Sequence, residues 1–600
     1  MLYQVVGGVK DIKEMRFTRF RRLSKQAKRI IIYISVGLAC LLVVLLRIRS
    51  NRKHAASEDY ALLLDQGHEN DVIIDMRFSS CYGLFGHFPR RCKAITEPES
   101  SWIRVPKDIF LGKRWFRQVF LDYRVENKDR ILSLGSSTVN EIRVVLGNVN
   151  EEDNKDENWD KIGYGVFVER GRYDPEKSIT GLNVLFGAMA TDPRPGWTVL
   201  KKPLKVNLPE KGEAKNSEVS EENAPIDHHI YDDECYISVQ RRNTVSKEDV
   251  VKSTSSYQTE LSFDEHGKFK ILQVADAHFV AGYGRCRDPW PEVPDGETCL
   301  ADLRTLKFII SVLDIEKPDL VVMTGDQVFG SESKDFETAL FKLVKPFIDR
   351  KIPYAILMGN HDSEGNLSRK QIYQLLQTLP YSVSEAGLGY VSGYGNYALT
   401  VTSSEQSNKN SLIMYFLDSH SYSKSKIPGY DFLKQDQKVF VKNSYIKHAE
   451  GLIPVGKITT DRTSEGKPLS MAFFHIPLPE YRELKTPENA DRPLTGSYKE
   501  GCTAPMHNSH MYDLFKRVGV SVVSVGHDHC NDYCLNYDGM NLCYGGGVGE
   551  GGYAGYGGTT RRLRIFEVDD KKNTIRTWKR LQTKPDEIFD DEVLFNGEEK

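Results

Sequence analysis

Apolar stretches of strand length alternate with stretches of helical periodicity along the second half of the chain. The run KILQVA (270–275) is followed, after a polar loop, by a helical pattern over 302–316. The run DLVVMTG (319–325), a second helical pattern over 334–350 and the run PYAILMG (353–359) continue the alternation. Three further apolar runs are SLIMYFLD (411–418), SMAFFH (470–475) and VSVVSVG (520–526). This alternation predicts an α/β fold whose sheets are buried on both faces.

The first half of the body has a different pattern, in which short β-prone runs are separated by turns. The predicted strands are DVIID (71–75), RWFRQVFLDYRV (114–125), RILSLG (130–135), EIRVVLG (141–147) and YGVFVERG (164–171). No side chains there group into a chemical site, so we predict an accessory β-rich domain over residues 55–205. Polar and charged residues then dominate residues 206–230, which is the composition of a linker.

One segment near the N-terminus is apolar without interruption. Residues 30–46 (IIIYISVGLACLLVVLL) carry no charge over 17 positions and have basic residues at both ends. A helix of this length spans about 25 Å, near the lower limit for a hydrocarbon core of roughly 30 Å. A buried core helix would show a polar face, and a cleaved signal peptide would show a small-residue cleavage site after Leu46. We therefore predict a transmembrane signal anchor.

Basic residues are distributed unevenly around this segment. Nine Lys or Arg residues precede it within residues 1–29, and four follow it within residues 47–53. The positive-inside rule therefore places the tail 1–29 in the cytosol and the body across the membrane. This predicts a single-pass type II membrane protein whose body lies in the lumen of the endoplasmic reticulum, Golgi or vacuole.

Composition and charge narrow the classes of protein further. The chain has 600 residues, of which 40% are hydrophobic and 27% charged, so a wholly disordered or low-complexity protein is excluded. Its formal charge of −2 is the sum of a basic N-terminal part and an acidic remainder. Residues 1–54 carry 13 basic against 2 acidic residues, a net of +11, and the rest carry 68 against 81, a net of −13. An acidic body argues against nucleic acid as a partner.

Cysteine spacing is compatible with an oxidising compartment. Three candidate disulfides join cysteines that are close in sequence, namely Cys81–Cys92, Cys286–Cys299 and Cys534–Cys543. The alternative is that these are free buried cysteines, which are common in protein cores.

Side chains of metal-binding types follow five of the predicted strands at the points where the strands end. They are Asp276, His278, Asp326, Asn360, His361, Asp362, His475, His527 and His529. In α/β folds ligands bind beyond the carboxyl ends of strands. Carboxylate, amide and imidazole groups without cysteine suit moderately hard divalent metals. The isolated Asp326 can bridge two such ions while the remaining ligands divide evenly between them.

The order of these motifs, D-x-H, G-D, G-N-H-D, H and G-H-x-H, resembles the calcineurin-like metallophosphoesterase superfamily. The resemblance covers residues 265–570. The flanking segments RCRDPWPEVPDGETCLADLRTLKFI and GHDHCNDYCLNYDGMNLCYGGGVGEGGYAGYGG are similar to its purple-acid-phosphatase-like branch in fungi and plants. The resemblance implies a metallophosphoesterase-type αββα sandwich over residues 265–585, preceded by the single transmembrane helix and the β-rich accessory domain.

The resemblance also implies a role for each residue of these motifs. It assigns Asp276, His278 and His529 to one metal. Asn360, His475 and His527 are assigned to the second metal, with Asp326 as the bridge. His361 is expected to be catalytic, either stabilising the phosphoryl oxygens or protonating the leaving alkoxide, and Asp362 is expected to orient it.

The G-D motif differs from the motifs of two subgroups of the superfamily, and these differences indicate which kind of metal site to expect. Purple acid phosphatases have a tyrosine three residues after the Asp of G-D, whereas Phe329 stands here and has no oxygen to ligate iron. The pattern G-D-x-V-D-R-G of calcineurin-type protein phosphatases is also broken, at Phe329 and Gly330. We therefore expect two divalent metal ions (Mn, Fe or Zn) and not a purple Fe(III)–tyrosinate site.

These features together predict a membrane-anchored, binuclear metal phosphatase that hydrolyses phosphate monoesters. A fungal member of the same branch with the same anchored layout implies a phosphoprotein substrate and a cell-cycle or signalling role, while a small phosphomonoester is the other expected substrate. The alternatives are a phosphodiesterase on the same scaffold and a non-catalytic, membrane-tethered binding protein. We expect no nucleic-acid partner.

Overall fold

The computed structural model describes most of the chain downstream of residue 69. The described residues are 70–82, 102–112, 117–146, 159–206, 234–242, 260–294, 297–403, 405, 410–424, 428–449, 468–485, 494–553 and 559–597. The predicted tail 1–29 and anchor 30–46 lie outside this set, as does the predicted linker from residue 207 onward. Within the described residues, no helix has both the length and the apolar character needed to cross a membrane.

Nine strands form three small antiparallel sheets in the first part of the body. They are β1 (Asp71–Tyr82), β2 (Trp102–Arg104), β3 (Arg117–Asn127), β4 (Thr138–Val144), β5 (Trp159–Gly163), β6 (Val166–Gly171), β7 (Gly181–Phe186), β8 (Trp197–Val199) and β9 (Cys235–Gln240). The sheets have the strand orders β1-β3-β2, β4-β6-β5 and β7-β9-β8. Because β9 pairs with both β7 and β8, the third sheet includes a strand from beyond the predicted boundary at residue 205.

One predicted strand in this region is wrong. Residues 130–134 belong to helix α1 (Lys128–Leu134), and residue 135 is its C-terminal cap. The helix begins because the side chain of Asn127 accepts a hydrogen bond from the backbone N–H of Asp129. It ends at Gly135, whose φ of 65° is the left-handed conformation that glycine adopts most easily. Capping by the two flanking residues therefore outweighs the apolar content of the segment.

Among the described residues, the second part of the body contains two larger sheets and five further α-helices. The strands are β10 (Leu261–Ser262), β11 (Lys268–Val274), β12 (Leu320–Thr324), β13 (Tyr354–Leu357), β14 (Tyr397–Thr402), β15 (Asn410–Phe416), β16 (Leu469–Phe473), β17 (Val522–Val525), β18 (Cys534–Tyr537), β19 (Met540–Tyr544), β20 (Arg562–Asp569), β21 (Thr574–Leu581) and β22 (Lys584–Asn596). The α-helices are α2 (Ala301–Glu316), α3 (Phe336–Asp349), α4 (Arg369–Leu376), α5 (Gln435–Ala449) and α6 (Met511–Arg517), with a short 3₁₀ helix over Pro479–Lys485.

The parallel strands of the two sheets carry the candidate site. One sheet has the order β13-β12-β11-β20-β21-β22, and the other has the order β10-β14-β15-β16-β17-β19-β18. Strands β11, β12 and β13 are parallel to one another, as are β15, β16 and β17. The remaining strands extend each sheet, and several of them pair antiparallel.

Alternate residues of the central strands pack against different layers. Met414 and Phe416 of β15 belong to the core shared with the six-stranded sheet. Their neighbours Ile413 and Tyr415 point to the opposite face, in the core that α5 and α6 complete. Helices α2 and α3 contribute to the core of the six-stranded sheet. This arrangement of two packed sheets with helices against them is an α/β fold, so that part of the predicted fold class is confirmed.

A buried ion-pair network joins the first part of the body to helix α3. The ammonium of Lys107, which precedes β3, lies 2.9 Å from Asp335 and 2.7 Å from Glu337. Burial opposes the charged form of Lys107, but the two carboxylates raise its pKa above the ordinary value. Asn183 of β7 also donates to Glu337, at 3.1 Å. Paired buried charges therefore connect the strands of the first part of the body to helix α3 of the second part.

Two of the three candidate disulfides lie wholly within the described residues, and both form. Cys286 is bonded to Cys299, and Cys534 is bonded to Cys543 across the β18–β19 hairpin. The third candidate pair, Cys81–Cys92, includes Cys92, which lies outside the described residues. The bond between Cys286 and Cys299 closes the loop that leads into α2.

Candidate metal centre

The metal-binding side chains lie at the carboxyl ends of five parallel strands from both sheets. The strands and the residues that follow them are β11 with Asp276 and His278, β12 with Asp326, β13 with Asn360 and His361, β16 with His475, and β17 with His527 and His529. A buried glutamine joins the sheets beneath them. The amide of Gln273 on β11 donates to the carbonyl of Val525 on β17 at 3.1 Å. It also accepts from the hydroxyl of Ser524 at 2.6 Å.

The first group of candidate ligands contains Asp276, His278 and His529. Their ligand atoms all lie within 4.8 Å of one another, and all three residues are buried. The Nε2 atoms of the two histidines are 3.1 Å apart. The Nε2 of His529 lies 3.4 Å from Oδ1 of Asp276. These three residues are the set that the resemblance assigns to one metal.

The second group contains Asp326, His475 and His527, again within 4.8 Å and buried. The Nε2 of His475 is 3.2 Å from Oδ2 of Asp326 and 3.2 Å from Nδ1 of His527. Asn360 joins the group, because its amide oxygen lies 3.2 Å from the same Nε2 of His475. The structure thus brings together the residues assigned to the second metal.

Asp326 faces both groups with one carboxylate oxygen. Its Oδ2 lies 3.2 Å from Nε2 of His475 and 3.9 Å from Nε2 of His278. Its other oxygen accepts the backbone N–H of His361 at 2.8 Å. This is the position that a bridging carboxylate requires.

The chemistry and spacing of these donors fit two cations. Neighbouring ligand atoms are 3.1–3.4 Å apart, the edge length expected of ligands about 2.0–2.2 Å from a shared ion. Burial lowers the pKa of both His278 and His527, so these imidazoles are neutral and offer lone pairs. Burial opposes protonation of His475, but Asp326 raises its pKa to about 9. A cation there would displace that proton, as metal binding generally does.

Glycines beside the ligands allow this close packing. A Cβ on Gly325 would lie 2.3 Å from Nδ1 of His475, and one on Gly359 would lie 2.1 Å from Oδ1 of Asp326. In the glycine-rich run 544–558, a Cβ on Gly552 would lie 2.9 Å from Cδ2 of His278. The described part of that run is therefore a close-packed turn against the metal centre.

His361 lies beside the ligand groups but belongs to neither. Its ring centroid is 5.4 Å from that of His278 and 5.1 Å from that of Phe329. Its side chain is 26% exposed, whereas those of His278 and His529 are 3% and 6% exposed. His361 is therefore placed at the open side of the centre, where a substrate can reach it.

Glu364, rather than Asp362, orients the imidazole of His361. Oδ2 of the Asp362 carboxylate accepts the backbone N–H groups of Asp326 and Gly359, at 2.8 and 2.7 Å. Burial and the nearby charge of Asp326 raise the pKa of Asp362 to about 7. The Nδ1 of His361 instead lies 2.7 Å from Oε2 of Glu364. The expected role of Asp362 is thus corrected, because its carboxylate holds the ligand loops.

Sequence reasoning missed two residues of the site. Glu364 stands three residues after His361, a spacing that gives a signal only once the loop conformation is known. Tyr422 follows β15 and accepts a hydrogen bond from Nδ2 of Asn360 at 3.4 Å. Nothing in the local sequence marks this tyrosine, since its position depends on the path of the loop.

Comparisons with known proteins show which family and which relatives the chain resembles. Residues 269–531 match the family model described as calcineurin-like phosphoesterase. The chain is 34% identical to "Phosphatase DCR2" of Saccharomyces cerevisiae, over 89% of this chain and 89% of that protein. It is 37% identical to "Probable inactive purple acid phosphatase 29" of Arabidopsis thaliana, over 56% of this chain and 88% of that protein. A dimetal phosphatase structure from Danio rerio aligns over 55% of this chain and 99% of its own, with a TM-score of 0.35 and 11% identity.

Proposed function

The chain belongs to the calcineurin-like phosphoesterase family, and from this premise we propose that it is a metal-dependent phosphatase acting on phosphate monoesters. The broader class, a hydrolase of the phosphoesterase type, follows from the family match and the phosphatase-named relative. The proposal for a catalytic phosphatase is carried by His361, a partly exposed imidazole held by Glu364 beside two groups of metal-binding side chains.

In this proposal, different residues of the centre bind the metals, donate a proton and position the loops during phosphate transfer. Two divalent cations held here would activate water and neutralise charge on the phosphate. Glu364 occupies Nδ1 of His361, so Nε2 is the ring nitrogen available to the departing oxygen. A proton donated from this atom would stabilise the leaving group as the ester bond breaks. The carboxylates of Asp326 and Asp362 accept backbone N–H groups of His361 and Asp326, and these hydrogen bonds fix the loop of His361 relative to the metal-binding residues.

We propose Mn, Fe or Zn in the divalent state as the resident metals. Nitrogen and oxygen donors without thiolate suit these ions. The ring of Phe329 lies against His278, with centroids 5.0 Å apart, and offers no donor atom. This supports a centre without the Fe(III)–tyrosinate bond of purple enzymes.

The substrate that we propose is a phosphorylated protein or a small phosphomonoester, with a role in the cell cycle or signalling. The alternative is a phosphodiesterase, which would use the same metal ligands and would differ in accepting diesters at the entrance of the site. A non-catalytic binding protein is the other alternative, and the complete ligand set weighs against it. The net charge of −13 on the body disfavours nucleic acid as substrate.

Assays of matched esters distinguish these functions. With Mn²⁺ supplied, we expect a higher kcat/KM for p-nitrophenyl phosphate than for bis(p-nitrophenyl) phosphate, and loss of both activities when a chelator removes the metal. A reversed order of the two kcat/KM values would identify a phosphodiesterase. Bound metal without turnover of either ester would identify a binding protein.

We also propose that the protein is anchored in a membrane by residues 30–46, with its catalytic domain in the lumen of the secretory pathway or vacuole. The support is the uncharged 17-residue segment and the excess of basic residues before it. Protease added to intact microsomes is expected to leave the catalytic domain undigested until detergent is added. Digestion of that domain before detergent is added would contradict this topology.

A further inference from the structure

Two tyrosines form an aromatic surface at the edge of the metal centre. The rings of Tyr422 and Tyr430 are stacked, with centroids 5.5 Å apart and planes 25° from parallel. Tyr430 also meets the ring of His527, at 4.3 Å between centroids and 88° between planes. The aromatic surface therefore begins directly at a metal-binding residue.

The turn that carries this pair is fixed by hydrogen bonds at its base. Tyr422 and Tyr430 face each other in an antiparallel bridge. The backbone N–H of Asp431 donates to the carbonyl of Ser421 at 2.8 Å. Below the turn, the guanidinium of Arg369 donates to the carbonyl of His420 at 3.0 Å and to the carboxylate of Asp418 at 2.8 Å. The stack is thus preorganised before any substrate binds.

The hydroxyl of Tyr422 lies in the site, and part of the tyrosine surface is exposed among the described residues. Its hydroxyl accepts from Nδ2 of Asn360 at 3.4 Å, which leaves the amide oxygen of Asn360 toward the metal-binding atoms. Its residue surface is 49% exposed, although Tyr430 covers part of it. An exposed, rigid aromatic face beside a catalytic centre favours a planar apolar group.

We propose that Tyr422 and Tyr430 form the leaving-group subsite and select aryl phosphate monoesters, the class to which phosphotyrosine side chains belong. This inference rests on the proposed phosphatase function and names its substrate class. In an aryl monoester the ring is attached to the ester oxygen itself. The ring therefore lies within one bond of the atom that leaves, where the tyrosine stack begins.

Other planar or flexible esters fit this arrangement less well. A nucleotide carries a ribose between its phosphate and its base. Its base therefore lies farther from the ester oxygen than the ring of an aryl ester does. An alkyl ester, such as a phosphoserine side chain, has no ring to stack and gains only nonspecific apolar contact. Offset or edge-to-face packing on tyrosine is the additional interaction that separates the classes.

The kinetic test uses two variants that separate the ring from the hydroxyl group. Tyr422→Leu removes the ring, and Tyr422→Phe keeps the ring but loses the contacts of the hydroxyl to Asn360 and Glu364. For Tyr422→Leu we expect the KM for phenyl phosphate to rise roughly three- to tenfold relative to the KM for ethyl phosphate. Tyr422→Phe is expected to keep the wild-type ratio of the two KM values. Equal changes for both esters, or no change in the ratio for Tyr422→Leu, would overturn the proposal.

A binding measurement keeps this inference separate from the proposed function. In the presence of Mn²⁺, the wild-type protein is expected to bind phenylphosphonate more tightly than methylphosphonate in calorimetry. Tyr422→Leu is expected to lose that preference, while the control Tyr390→Leu, at a tyrosine that is 77% exposed, keeps it. No preference in the wild-type protein overturns the inference even if esters are hydrolysed. A preference without hydrolysis of any monoester upholds the subsite and rejects the phosphatase proposal.

Discussion

Replacing Asp326 by asparagine is expected to cause the largest loss of function of any single substitution in this protein. The carboxylate is buried, and its Oδ2 faces His475 at 3.2 Å and His278 at 3.9 Å, so it contributes charge to both groups of ligands. Breaking a buried charge interaction costs about 3–5 kcal/mol. We therefore expect metal affinity to fall by roughly two to four orders of magnitude and hydrolysis to be lost with it.

The measurement is the metal content of the purified variant together with its kcat/KM. Asparagine keeps the volume and one acceptor oxygen for the backbone N–H of His361, which limits the structural change. Asp314→Asn is the matched control, because that carboxylate is 58% exposed and pairs with Arg350 on the surface. A variant with two bound metal ions and wild-type turnover would exclude Asp326 as the bridge.

Replacing His361 by alanine is expected to lower kcat by about 10²–10⁴-fold while both metal ions remain bound. The imidazole lies outside both ligand groups, so its removal leaves every metal-binding side chain in place. What is lost is the proton or hydrogen bond that stabilises the leaving oxygen. Steady-state kinetics and metal analysis on the same preparation separate this result from the loss of metal expected for Asp326→Asn.

A companion variant tests whether Glu364 acts through His361. Glu364→Gln weakens the contact at Nδ1 and is expected to cost less than His361→Ala, about 10-fold or more in kcat. The two substitutions combined are expected to cost no more than His361→Ala alone, because the carboxylate acts only through the imidazole. His266→Ala, at a histidine whose side chain is 74% exposed, controls for histidine removal. Full turnover in His361→Ala would reject the catalytic assignment.

The candidate site is the part of this protein that local sequence predicts best. Each ligand follows an apolar run of strand length, and parallel strands bring their carboxyl ends to one edge of a sheet. The assignment of Asp276 and His529 to one metal came from the family resemblance, because the two residues follow strands of different sheets. The structure places them 3.4 Å apart, measured from Oδ1 to Nε2.

Two elements could not be predicted from the periodicity of apolar residues, namely helix α1 and the hairpin of β21 and β22. Residues 130–135 are apolar enough for a strand, but the capping residues Asn127 and Gly135 select a helix. The hairpin of β21 and β22 at the edge of the six-stranded sheet went unpredicted. Five of its side chains on β22 are acidic, so the strand lacks the apolar pattern of a buried one. Its pairing with β21 is what makes it a strand.

The sequence by itself determined the α/β architecture of the second half, the order of the metal-binding motifs and the division of charge along the chain. These features follow from patterns within short segments, whose physical causes act locally. Only the tertiary structure decided that Glu364 orients His361, that Asp362 holds the loops, and that Tyr422 and Tyr430 stack beside His527. Those contacts join loops whose paths depend on the packing of two whole sheets, and no local pattern encodes such a path.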